Sequence, residues 1–142
     1  MSGVTAPLVP VSWGELIDKI TILEIKTRRL ASGPARSNAA RELALLLDAA
    51  APVLKSTAGL AGFRQRLSAV NERLWDVEDQ IRSKEAGGQF DSGFIALARA
   101  IYHANDERAA IKREVNRALA SELVEEKSYP TYGGVTGGSS PG

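Results

Sequence analysis

The sequence predicts an all-α fold, an antiparallel helical bundle of long helices with a flexible Gly/Ser-rich C-terminal tail, and three observations carry that expectation. The first is an unbroken heptad seam of Leu60, Phe63, Leu67, Val70, Leu74, Val77 and Ile81, whose alternating steps of three and four keep one stripe of a helix apolar. The second is a matching apolar side further on, made of Leu97, Ile101, Ala104, Ile111, Val115 and Ala118. The third is the lack of period-two alternation anywhere except Leu8-Val9-Pro10-Val11, which reads as a short extended piece.

Ser12-Trp13-Gly14-Glu15 reads as a capping box, the Ser12 hydroxyl accepting from the Glu15 amide and the Glu15 carboxylate reaching back to the Ser12 amide. The helix it opens stops at Ser32-Gly33-Pro34. Ile17, Ile20, Leu23 and Leu30 cover one of its sides while Ile22 and Ile25 point elsewhere, so it is buried on more than one side. It forms either the centre of the bundle or half of a dimer interface, and because its apolar surface exceeds what one flanking seam can cover, a homodimer with this helix in the interface is expected. Glu24 falls inside its apolar arc and needs a partner, because an unpaired carboxylate there costs several kcal/mol.

Ser37 or Asn38 is expected to cap a second, shorter Ala-rich helix, which Pro52 breaks or kinks by removing a donor. The third helix covers about residues 60–85 and ends at Gly87-Gly88; the fourth is capped by Asp91 and covers about 92–123. From Lys127 onward Gly, Ser and Pro dominate, with too little apolar surface to offset the entropy of ordering. One helical domain over 1–128 and a flexible tail over 129–142 is the expected organisation.

Composition narrows the function classes. A chain of 142 residues that is 44% hydrophobic buries one ordinary core, and 18 Lys plus Arg against 17 Asp plus Glu leave no global field to steer nucleic acid or membrane binding. The basic run of Lys26, Arg28, Arg29, Arg36 and Arg41 lacks interleaved aromatics or a recognition-helix motif, so no nucleic-acid partner is expected. With no cysteine, disulfides, thiolate nucleophiles and Cys-ligated metals are excluded, and His103, the only histidine, reads as a surface residue. The N-terminus has neither a basic segment nor a continuous apolar one, and no stretch approaches a membrane span, so a cytoplasmic protein with no membrane association is expected.

Two polar stripes flank the seams. Asn71, Trp75, Glu78 and Arg82 recur by four, three and four, and Asn105, Arg108, Lys112 and Asn116 recur by three, four and four. With Glu24, the first seven of these residues are the candidate ligand-binding set: Glu24, Asn71, Trp75, Glu78, Arg82, Asn105, Arg108 and Lys112. On antiparallel helices they offer carboxylate, guanidinium and amide groups in one groove. The plainer reading is a hydrogen-bond network that fixes helix register, with Arg108 paired to Glu78 or Glu24. In either case Glu78, Arg82, Asn105 and Arg108 are expected to form one cluster shielded by Trp75.

Magnesium-dependent hydrolysis of nucleotides or sugar phosphates is the alternative enzymatic reading, since acidic pairs at helical spacing occur at Glu15/Asp18, Asp76/Asp79 and Glu122/Glu125. Glu72, Asp76 and Asp79 point away from the seam, which counts against it, and neither a metal nor another cofactor is expected. The favoured reading is a non-catalytic binding or assembly module, homo-oligomeric, with a protein or an anionic small molecule as a further partner.

The blocks VSWGELIDKITILEIKTRRL, VNERLWDVEDQIR, IYHANDERAAIKREVN and LVEEKSY resemble an uncharacterised family of short bacterial proteins, a domain of unknown function, over roughly residues 8–129. That resemblance implies no activity. Asn71, Leu74, Trp75, Glu78, Asp79 and Arg82, with Asn105 and Arg108, are also similar to a second uncharacterised bacterial family found beside glycosyltransferases. This likeness implies a link to surface-polysaccharide systems, and that the shared polar residues act as a set.

Overall fold

The computed structural model describes residues 3–120. Four helices follow one another: α1 (Trp13–Arg29), α2 (Pro34–Ser56), α3 (Leu60–Ala86) and α4 (Ser92–Ala118), with no strand among the described residues. The expected tail, the end of the fourth helix beyond residue 120 and the Glu122/Glu125 pair lie outside the described residues.

Local chemistry sets the helix ends. The Ser12 Oγ accepts from the Glu15 amide at 3.1 Å and the Asp91 carboxylate from the Phe94 amide at 3.0 Å, so each side chain satisfies a donor that the first turn leaves open. Only half of the capping box at Ser12 forms, because the Glu15 carboxylate turns to Lys112 instead. Lys26, Arg28 and Arg29 place positive charge on the last turn of α1.

The second helix departs from expectation at three points. It starts at Pro34, ahead of Ser37 and Asn38, because Gly33 takes a φ of +136° and Pro34 enters the first turn, where its missing N–H costs nothing. It also runs through Pro52 to Ser56 as one element, so Pro52 does not break it. Pro52 and Asp48 are both exposed, so water can satisfy the Asp48 carbonyl that loses its donor. Finally, at 23 residues against 17 it is longer than α1.

The pairs Arg66–Glu114, Arg73–Glu107 and Lys84–Asp91 show that α3 and α4 form an antiparallel hairpin. α1 packs against all three other helices, whereas α2 rests mainly on α1. Of the two positions the sequence leaves open for the first helix, it therefore takes the centre of the bundle, which accounts for its nearly all-round apolar surface. Ile17 and Ile20 meet Leu67 and Val70 of α3, Ile111 and Val115 of α4 and Ala50 of α2 in one core. Burying each large aliphatic side chain is worth about 1.5 to 3 kcal/mol. The central helix covers only half of the hairpin, for the buried side chains of α3 end at Leu74 and those of α4 begin at Ala104.

Candidate functional site

Gly14, Asp18 and Thr21 share one stripe of α1, and this stripe meets the hairpin where polar groups are concentrated. Asp18 is 3% exposed. The Asn71 amide nitrogen donates to Asp18 Oδ1 and to Thr21 Oγ1, both at 2.9 Å, and the Asn71 oxygen accepts from Arg108 Nη1 at 3.2 Å. The other Asp18 oxygen stands 3.9 Å from Lys112 Nζ and 4.0 Å from Arg108 Nε. Lys112 donates to Glu15 at 2.7 Å, and the Thr21 hydroxyl donates to the Asp18 carbonyl at 2.7 Å. One turn further along α4, the Asn116 oxygen accepts from the Gly14 amide at 2.7 Å. α1 is thus joined to both helices of the hairpin by side chains that are themselves buried.

Burial sets the electrostatics of this clamp. Loss of water raises the Asp18 pKa above its ordinary 3.8, against the opposing pull of the Asn71 hydrogen bond and the Arg108 and Lys112 charges. A carboxyl group whose folded pKa is raised binds its proton more tightly when folded, so its contribution falls as pH rises from the unfolded value through the folded one. Asp18→Asn keeps an oxygen for Asn71 and removes the titration. Its stability relative to the parent should therefore shift in its favour as the pH rises past the ordinary carboxylate value, as read from urea midpoints at each pH. A shift in the opposite direction would mean that the two cations outweigh burial.

The candidate residues divide into three groups. Asn71, Arg108 and Lys112 come together around Asp18. Glu24 finds its required partner elsewhere, on the flank of α3, where Arg64 meets it at 3.2 Å. Trp75 is half-buried with Arg29 over its ring, 6.0 Å from the centroid, inside a surface group in which Arg28 and Arg29 hold Glu72 at 2.6 Å and Arg29 holds Asp76 at 2.7 Å. Such exposed pairs are each worth at most about 1 kcal/mol. Glu78 and Arg82 are exposed and Asn105 is half-buried, and none of the three has a hydrogen bond or ion pair among the described residues.

The expected cluster of Glu78, Arg82, Asn105 and Arg108 is thus replaced by one centred on Asp18, and Trp75 shields neither. The physical reason is the reach of α1, which covers Asn71 and Arg108 and ends before Glu78 and Arg82. His103 is exposed, as expected, beside a shallow cavity of about 200 Å³ lined by Arg73, Val77, Ala100, Ala104 and Glu107.

The candidate binding set leaves out Gly14 and Thr21 and gives Asp18 only as half of an acidic pair, although their signal is of the kind that marks the other stripes. Gly14, Asp18, Thr21 and Ile25 recur by four, three and four along α1. A carboxylate and a glycine in register with the buried Thr21 and Ile25 mark a face that packs closely and polarly.

Fold and clamp together define a helical-bundle protein whose central helix is locked onto a two-helix hairpin by buried polar side chains. The chain belongs to a family of unknown function, DUF6165, whose model matches residues 8–141. No curated protein and no solved structure matches it.

Proposed function

We propose that this chain is a non-catalytic, cytoplasmic helical module for binding or assembly, working through contacts with a second copy of itself, another protein or an anionic small molecule. The disposition of the carboxylates carries the reading. Hydrolysis assisted by magnesium needs oxygen ligands converging on one point. Asp18 and Glu15 are instead taken up by Asn71 and Lys112, Glu24 by Arg64, and Glu78 and Asp79 face solvent beyond the clamp. No group of three or more His, Asp or Glu side chains among the described residues is placed to hold a metal ion. No helix of the described residues is long and apolar enough to cross a membrane. The similarity of the Asn71 to Arg108 set to a family found beside glycosyltransferases makes enzymes of surface-polysaccharide assembly the first protein partners to try.

The test is a screen of nucleoside triphosphates, nucleotide sugars and sugar phosphates with magnesium, followed by release of phosphate or pyrophosphate. The expected result is no turnover above the protein-free blank. Magnesium-dependent release that disappears in Glu78→Gln or Asp79→Asn would overturn the reading in favour of a hydrolase.

A further inference from the structure

The face of the α3–α4 hairpin that α1 covers does not stop where α1 stops. On α4 the buried Lys112 and Ala109 belong to a stripe that continues, in steps of four and three, through Asn105, Tyr102, Ala98 and Ile95. Tyr102 is 51% and Ile95 58% exposed. On α3 the buried Asn71 belongs to the stripe that continues through Trp75, Glu78 and Arg82. Arg29, the last residue of α1, reaches Asp76, and beyond that point no helix among the described residues covers the same face. At the tip, Phe90 is exposed and stacks edge-on against Phe94, with ring centroids 5.2 Å apart. The distal hairpin therefore carries large apolar side chains on the side where its proximal half is packed.

The charges on this face identify its occupant. Glu78 and Arg82 lie one turn apart on one stripe, opposite in sign, exposed and without an ion pair among the described residues. A partner of uniform charge would satisfy one of them and repel the other. The same stripe laid against itself in the opposite direction satisfies both: a twofold axis between positions 78 and 82 sets Glu78 of one copy against Arg82 of the second, and the reverse contact follows by symmetry. Such a pairing also makes a four-helix arrangement of two hairpins that are incompletely buried alone.

We propose that two copies of this chain associate through the distal halves of their α3–α4 hairpins, with the Glu78–Arg82 stripes antiparallel across a twofold axis and Ile95 supplying apolar contact. This deepens the assembly reading above by naming the partner and the surface, and rests on that reading.

Light scattering on a sizing column decides it. The unaltered chain should approach twice its 15.1 kDa mass as concentration rises, within a range reaching about 100 µM. Ile95→Asp, Glu78→Arg and Arg82→Glu should each weaken association at least about tenfold. All three positions are exposed, so the melting curve of the dilute protein should hardly move, which separates lost association from lost folding. An equimolar mixture of the Glu78→Arg and Arg82→Glu chains, one stripe wholly basic and the other wholly acidic, should recover the dimer, as should the double substitution within one chain. A chain that stays monomeric throughout overturns the inference and leaves the assembly reading to the hydrolysis screen. A dimer indifferent to Ile95→Asp and Glu78→Arg, or swaps that do not rescue each other, overturns it equally.

Discussion

Gly14→Ala is expected to destabilise the protein by about 2 to 3 kcal/mol, a large effect for one methyl group. A Cβ at this position would overlap the Lys112 carbonyl and stand 2.9 Å from the Asn116 side-chain oxygen. The carbonyl belongs to a helix backbone and cannot rotate aside, so α1 and α4 must separate and the 2.7 Å Gly14 to Asn116 hydrogen bond stretches with them. Opposing this is the helix preference of alanine over glycine, about 1 kcal/mol. The two terms can be separated with Gly62→Ala, because Gly62 lies in α3 and a Cβ there meets nothing within 4 Å. That substitution should stabilise by up to about 1 kcal/mol. Urea midpoints of the two variants are expected to move in opposite directions. A gain at both sites would mean that the helices pack less closely at Gly14 than the structure has them.

Asn71→Leu is expected to cost about 3 kcal/mol, because it removes the donor that faces a buried carboxylate and the acceptor that holds Arg108. The residues left behind differ in exposure. Arg108 is partly exposed and can turn to water, whereas Asp18 is almost fully enclosed, so most of the cost falls on Asp18. Asp18→Leu combined with Asn71→Leu removes both sides of that contact. The double variant should lose clearly less than the sum of the single losses, with a coupling of about 1 kcal/mol or more. Simple additivity would show that Asp18 and Asn71 do not act together.

What the sequence made legible was mostly local. The Leu60 to Ile81 seam, the Ser12 and Asp91 caps and the stripe from Asn105 to Asn116 depend on spacings of three and four within one helix, and each appears in the folded chain. In the sequence Gly33-Pro34 marks a stop for α1, yet the same two residues also start α2, since a proline that cannot continue one helix is well suited to begin the next. The clamp was half legible. Periodicity identified the faces holding Asn71, Arg108 and Lys112 but carries no information about how far along those faces another helix reaches. That length, fixed by where α1 crosses the hairpin, decides that Arg108 meets Asn71 and Asp18 while Glu78 remains in water.

Because the first helix is the hub, the order in which the chain leaves the ribosome matters. α1 emerges before α4 with Gly14, Glu15 and Asp18 already in place, but their partners Lys112 and Asn116 lie about a hundred positions downstream, the Gly14 to Asn116 contact spanning 102 residues. Closing so long a loop must precede any reward from the contact, which slows the step. Until α4 is synthesised, α1 can pair with α2 and, through Asn71, with α3, but the Gly14 and Glu15 end of its polar stripe and part of its apolar surface stay exposed. α1 therefore completes its surroundings only once α4 has been made, and a chain halted before residue 112 has a central helix with no completed bundle to be central to.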